Sequence, residues 1–295
     1  MTYTITGATG KVGSQIVRAL LSRKEDVRAV GRNTERLAEL EGLGGSVFKG
    51  DLTDVSFLTD AFKGADRVFT IVGSDMQAKN LRESQNRMGE AEAKALAEAG
   101  VTHLVNLSSL GAHLPGGTGP ILGLRDQEQR INGMKGIHVV HLRPTYFMEN
   151  LLSNVELIKH QGIMGGVVKK DVPFPVIAAR DVAGAAVEAL TGPDFSGKTV
   201  REYLGQRDLT MEEMTRIIGE AIGKPSLSYV EFSEEDTRNA MAAMGLSEDV
   251  ARSFVEMGVA ISEGTLKGET ARSAENTTET SFEEFAKTFA LFYKG

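Results

Sequence analysis

Residues 1–21 read M-T-Y-T-I-T-G-A-T-G-K-V-G-S-Q-I-V-R-A-L-L. Tyr3–Thr6 is a short β-branched run, Gly7, Gly10 and Gly13 follow it, and Val12–Leu21 carries the apolar repeat of a helix. A glycine loop that binds a dinucleotide requires this strand–loop–helix setting. Gly7 permits the tight turn, Gly10 lets backbone approach a pyrophosphate, and Gly13 allows helix and strand to pack closely. Thr9, Lys11 and Val12 complete the loop, and the helix N-terminus offers unpaired N–H groups and a partial positive charge to an anion.

The second strand selects among dinucleotides. Sites that prefer NAD place an acid at its end, about 20 residues past the loop, to bind the ribose 2′-hydroxyl. Here the chain reads Val27-Arg-Ala-Val-Gly31-Arg32-Asn33. A guanidinium at Arg32 can hold a 2′-phosphate through two N–H bonds, with Gly31 leaving room and Asn33 beside it. NADPH/NADP+ is therefore expected in preference to NADH. Asp51 and Leu52, after the third strand, are candidate adenine contacts. Thr70, Val72 and Gly73 end the fourth strand, where ligands of open α/β sheets bind.

Working outward, short apolar runs at Val47–Lys49, Val68–Val72, Leu104–Leu107 and Val139–Leu142 alternate with helical patterns at Phe57–Phe62, Lys79–Ala99 and Arg125–Met134. Such alternation implies an α/β fold, a Rossmann-type doubly wound parallel sheet. The pattern changes near Asn150. Residues 1–149 are expected to form the dinucleotide-binding domain and 150–295 a smaller, mostly helical cap and substrate region, with 178–204 returning to the sheet. Thr210–Glu213, Ser233–Asp236 and Ser281–Glu284 each set an acid three residues after a hydroxyl, a helix-start signature. The polar stretch Gly268–Thr280 reads as a mobile loop.

The 295 residues carry a formal charge of −7 and no cysteine. The charge disfavours nucleic acid as a partner, and the missing thiols exclude disulfides and a cysteine nucleophile. No apolar run is long enough to span a bilayer, so a cytoplasmic protein is expected. The five histidines show no metal-ligand spacing, and no metal is expected.

These motifs together resemble the atypical short-chain dehydrogenase/reductases, and within them the NmrA-like group. The likeness rests on Gly7–Gly13, Val30–Asn33, Gly50–Leu52, Leu107–Ser109, Leu142-Arg-Pro144-Thr-Tyr146-Phe-Met-Glu-Asn150, Arg180–Ala183 and Leu209–Glu213. It implies that Pro144–Asn150 flanks a nicotinamide, with Pro144, Tyr146 and Ser108 toward the cofactor. Ser109, His113, Tyr146, Phe147 and Asn150 would line a substrate pocket. The layout is most similar to quinone and triphenylmethane-dye reductases.

Dehydrogenases of that superfamily use a Tyr-x-x-x-Lys pair to move a proton. Four residues after Tyr3, Tyr146, Tyr203 and Tyr229 stand Gly7, Asn150, Arg207 and Ser233, and Tyr293 has too few residues after it. Aligning Glu128 with the family's glutamate puts Pro120 and Leu124 at the two positions. A ketone reductase benefits strongly from a proton donor, whereas hydride transfer to a quinone or cationic dye can proceed by positioning. The sequence thus points to an NADPH-dependent oxidoreductase acting on a small conjugated acceptor. The alternative is a non-catalytic redox sensor that reports to a protein partner. Whether the chain forms a homo-oligomer is open.

Overall fold

The computed structural model describes all of residues 1–295. The first half alternates as read: β1 (Thr2–Ile5), α1 (Gly13–Ser22), β2 (Asp26–Gly31), α2 (Thr34–Gly42), β3 (Ser46–Lys49), α3 (Val55–Phe62), β4 (Arg67–Ile71), α4 (Leu81–Glu98), β5 (His103–Leu107), α5 (Ile121–Gly133) and β6 (His138–Pro144). Then come β7 (Tyr146–Phe147), a 3-10 helix (Met148–Asn154), α6 (Val155–Gln161), β8 (Ile163–Gly166), β9 (Phe174–Ile177), α7 (Ala179–Thr191) and β10 (Lys198–Tyr203). The chain ends with β11 (Asp208–Leu209), α8 (Met211–Ala221), β12 (Ser228–Glu231), α9 (Glu234–Ala243), α10 (Glu248–Ser262) and α11 (Phe282–Lys294).

Seven strands form one parallel sheet in the order β3-β2-β1-β4-β5-β6-β10. The order reverses between β1 and β4, and a crevice opens at the carboxyl ends of strands on either side of such a point. Helices cover both faces. Ile16, Val17 and Leu20 of α1 and Val182, Ala186 and Leu190 of α7 share one apolar cluster with the strands. Leu58 and Phe62 of α3, Ala95 and Leu96 of α4 and Ile131 of α5 form a second cluster on the sheet. Each buried large aliphatic side chain contributes roughly 1.5–3 kcal/mol to holding a layer in place.

The strands are less uniformly apolar than their sequences suggest. Thr70, Asn106 and His141 stand side by side in register across β4, β5 and β6, all buried. Thr70 Oγ1 donates to Asn106 Oδ1 at 3.2 Å, and Asn106 Nδ2 donates to His141 Nδ1 at 3.0 Å. His141 Nε2 donates to Asn132 Oδ1 of α5 at 3.2 Å. Both ring nitrogens are satisfied by a neutral imidazole, and burial pushes its pKa down to about 4.

The second half adds a three-stranded sheet, β11-β9-β7, and a two-stranded one, β12-β8. A third cluster, with Met148, Ile158, Met214, Ile218, Phe285 and Phe289 among its members, fills the space beneath α8 and α11. The expected helix starts are real caps: Thr210 and Glu213 form a reciprocal capping box, and Ser233 and Ser281 accept the N–H groups of Asp236 and Glu284. The segment 178–204 supplies α7 and β10, whose Lys198–Tyr203 pair with Val139–Pro144.

Two expectations change. α2 was not apparent in the sequence, although Asn33 caps it by accepting the N–H of Arg36 at 2.9 Å. Residues 268–280 are not loose. Glu202 accepts the N–H groups of Glu269 (3.0 Å) and Thr270 (2.9 Å) and the Thr270 hydroxyl (2.6 Å). Arg272 donates to the carbonyls of Gly205 (2.6 Å) and Leu204 (3.0 Å), and Asp181 accepts the Thr278 hydroxyl (2.6 Å). A polar segment with its donors committed to buried acceptors is a strap.

Candidate active site

The glycine loop has the geometry of a cradle. Gly7 sits at φ +63°, and a Cβ there would stand 2.5 Å from Ile71 Cγ2. A Cβ on Gly13 would overlap the Gly7 carbonyl, and one on Gly10 would lie 3.1 Å from the same oxygen. A side chain at Gly7 or Gly13 would collide with Ile71 or with the loop's own backbone, so glycine is what lets β1, the loop and α1 pack this closely. α1 begins at Gly13 with Val12 before it and no side-chain cap. By contrast, Asn33, Asp54 and Asn80 cap α2, α3 and α4. The Ser14 and Gln15 N–H groups turn back to the carbonyls of Gly10 and Val12, and the N–H groups of Lys11, Val12 and Gly13 are left to an anion. These residues fit a dinucleotide.

Beside the loop lies a polar cleft of about 220 Å³, lined by Thr9, Gly10, Lys11, Ser14, Arg18, Arg36 and Glu39 among others. Arg32 is exposed and does not line it. The guanidinium that closes on the loop is that of Arg36, in the first turn of α2, whose Nη1 donates to the Thr9 carbonyl at 3.0 Å. The sequence reading missed Arg36, although the cap at Asn33 places it at the start of α2, facing the loop. Asn33 spends its carbonyl on that cap. Asp51 Oδ1 accepts the N–H of Thr53 at 2.9 Å, which stiffens the turn after β3, and Leu52 is half-buried beside it. Lys11 crosses the crevice, its Nζ donating to the Glu149 carbonyl at 3.2 Å. The Glu149 carboxylate in turn accepts the Ala179 N–H at 3.0 and 3.1 Å.

A second cavity, also about 220 Å³, opens at the ends of β4 and β5. Of the candidate residues it brings together Val72, Ser108, Ser109, Tyr146, Phe147 and Asn150. Pro120 and Leu124, at the two positions where a tyrosine and lysine would stand, are also in its wall. Thr70 is buried and turned to Asn106. Gly73 is half-buried and outside the wall. Pro144 ends β6, its carbonyl accepting the Leu110 N–H at 2.8 Å. His113 is a correction: it lies outside the cavity wall, with Nδ1 3.9 Å from Glu269. The sequence reading missed the far wall, made by Phe254, Met257 and Ile261 of α10 and by Leu266. None of the nineteen lining residues carries a charge.

The strap begins just after this wall and ties it down. Leu266 lies against Gly111, and three residues later Glu269 reaches Arg143 at 2.5 Å. Arg143 is itself buried at the end of β6 and pairs with Glu128 of α5. Burial is the largest influence on the Glu128 carboxyl and would raise it, but the Arg143 hydrogen bonds and charge, together with the neighbouring His141 and Ser108, hold the group below the usual carboxylate range. His113, Glu202 and Glu269 approach one another here, and the Arg143 guanidinium supplies the positive charge among them.

A glycine cradle at an uncapped helix start, beside an apolar cavity at the strand ends, defines a dinucleotide-binding α/β protein with a second, uncharged binding space. Comparison with known proteins makes this specific. The chain belongs to the NmrA-like family, whose model matches residues 1–286. It is 30% identical over 293 residues to the NAD(P)H azoreductase of Xenophilus azovorans, covering 98% of both chains. It is 28% identical over 267 residues to quinone oxidoreductase 2 of Escherichia coli (strain K12), covering 89% of this chain and 88% of that one. The fold matches that of the Escherichia coli NADPH-dependent quinone oxidoreductase in complex with NADPH, with a TM-score of 0.81, 23% identity and coverage of 97% and 99%. It also matches that of the Citrobacter sp. triphenylmethane reductase, with a TM-score of 0.78, 21% identity and coverage of 99% and 100%. No helix is long and apolar enough to cross a membrane.

Proposed function

We propose that this chain, an NAD(P)H-dependent oxidoreductase of the NmrA-like family, uses NADPH to reduce flat, uncharged or cationic conjugated acceptors of the quinone or dye type. The observation that carries this reading is the uncharged cavity at the strand ends, with Pro120 and Leu124 in its wall. Held in the glycine cradle, the reduced nicotinamide would supply a hydride. The chain's own part is to hold the dinucleotide, through Gly7–Gly13 and the cations Lys11, Arg32 and Arg36. It also stacks the acceptor among Ile121, Leu124, Phe147 and Phe254 and excludes water behind α10 and the strap. A localised charge such as a phosphate or carboxylate would be buried here without a partner, at a cost of several kcal/mol, whereas a triarylmethane cation spreads its charge over three rings.

The test is to bind NADPH to the protein, follow cofactor fluorescence, and add a panel of quinones and triarylmethane dyes. The chain has no tryptophan, so no indole emission interferes. Consumption well above the buffer rate is expected. Tight NADPH binding with no consumption across the panel would overturn the reductase reading in favour of a sensor.

A further inference from the structure

The cavity wall holds few groups that can serve an acceptor's oxygen. The Ser109 hydroxyl donates to the Leu110 carbonyl at 3.1 Å, Thr145 Oγ1 to the Pro175 carbonyl at 2.8 Å, and Gln85 Nε2 to the Pro120 carbonyl at 3.0 Å. Ser108 Oγ has no hydrogen-bond partner but is itself shielded, its residue only 3% exposed. Three polar side chains remain: Ser74, Tyr146 and Asn150. Tyr146 is the one on a rigid mount. Its backbone pairs with Val176 in β9, and its ring meets Phe174 edge-on, centroids 5.7 Å apart at 88°.

We infer that Tyr146 is the hydrogen-bond donor to the oxygen of the bound acceptor, taking the place of a Tyr-x-x-x-Lys relay by a different route. This rests on the reductase reading above. Burial pushes the phenol up to about 12, with the neighbouring Asn150 pulling the other way. It therefore keeps its proton throughout the working pH range and acts as a fixed donor. A bound reduced nicotinamide would supply a hydride, two electrons and one hydrogen, to the quinone and would itself be left oxidised. The negative charge settles on the quinone oxygen, the Tyr146 O–H hydrogen-bonds to it, and a solvent proton completes the hydroxyl. A cationic triarylmethane acceptor becomes neutral on taking the hydride at its central carbon, and no anion forms for Tyr146 to stabilise.

The two acceptor classes therefore separate the roles. Tyr146→Phe keeps the ring and its contact with Phe174 while removing one oxygen. With NADPH saturating, kcat for a quinone is expected to fall about 10²-fold, the scale of losing a donor to a developing oxyanion. The fall with a cationic dye should be far smaller, so the ratio of the two rates shifts by about tenfold or more. A second readout needs no turnover. Xanthone and xanthene share a shape and differ by a carbonyl, so the wild type should bind xanthone about threefold to tenfold more tightly, the range of one hydrogen bond, and Tyr146→Phe should lose that preference. Equal slowing of both acceptors, or a xanthone preference that survives in Tyr146→Phe, would overturn the proposal. If the wild type reduces neither acceptor, the reductase reading fails instead, and the xanthone pair still decides whether Tyr146 is a donor.

Discussion

Arg143 grips Glu128 with two hydrogen bonds, Nε to Oε1 at 2.9 Å and Nη2 to Oε2 at 2.6 Å, both side chains being about 6% exposed. The pair joins β6 to α5, and the remaining arm of Arg143 holds Glu269 of the strap. Three parts of the molecule meet at one guanidinium.

Arg143→Met should be severely destabilising. It strands the Glu128 carboxylate in the interior, and breaking one side of a buried pair costs about 3–5 kcal/mol. Urea unfolding would show this as a lower midpoint with an unchanged slope. A loss below about 1 kcal/mol would mean that the pair is solvated in solution.

Gly13→Ala tests the cradle. The added methyl meets the Gly7 carbonyl, so either α1 or the loop must shift. We expect a folded protein whose affinity for NADPH drops by about tenfold or more, measured by fluorescence titration. Unchanged affinity would show that the loop does not approach the pyrophosphate.

Arg32→Ala and Arg36→Ala should differ in kind. Arg32 is exposed and free to meet a 2′-phosphate. Its loss should weaken NADPH by about tenfold to a hundredfold, the range of a charge-assisted hydrogen bond, and leave NADH nearly as before. Arg36 also braces the Thr9 carbonyl, so its removal should weaken both cofactors. Equal losses for NADPH and NADH in Arg32→Ala would refute the 2′-phosphate role.

His141 predicts an acid-sensitive fold. Its folded pKa, about 4, lies below the ordinary 6.5. Between those values the unfolded chain binds a proton that the folded chain refuses. The contribution is fully present above pH 6.5 and is lost as pH falls toward 4, so the melting temperature should decline across that window. His141→Gln, which keeps one donor and one acceptor for Asn106 and Asn132, should flatten the decline. An equally steep profile in the variant would place the sensitivity elsewhere.

What could be read from the sequence was local. The glycine loop, the buried strands and the Ser/Thr caps depend on residues within a turn or two of each other, and each lies where its pattern indicates. The far wall of the cavity was not readable in that way. Phe254, Met257 and Ile261 repeat along α10 as a core-facing stripe would, and periodicity cannot tell a helix facing a neighbour from one facing a cavity. His113 and residues 268–280 were misread for a related reason. Where a loop residue points, and whether a polar segment is held, depends on partners far along the chain, here Glu202 and Arg143. α2 was overlooked because T-E-R-L-A-E-L-E-G shows only two buried positions, Leu37 and Leu40.

The far wall has one more consequence. Phe254, Met257 and Ile261 project from a single helix; Ile261 and Met257 also pack into the cap cluster, while the polar attachments of the helix lie elsewhere. Ser247 Oγ donates to the Ala78 carbonyl at 2.6 Å, Asp249 accepts the Leu81 N–H at 2.8 Å, and Gly119 lets the Ser253 backbone approach closely. None of these fastenings uses a cavity-facing side chain, and none touches the glycine loop. Acceptor range can therefore drift through substitutions on one helix, Phe254 foremost because it belongs to no core cluster, while cofactor binding and the sheet stay fixed. That makes α10 the natural place to vary this scaffold toward new acceptors, by selection in a genome or at the bench.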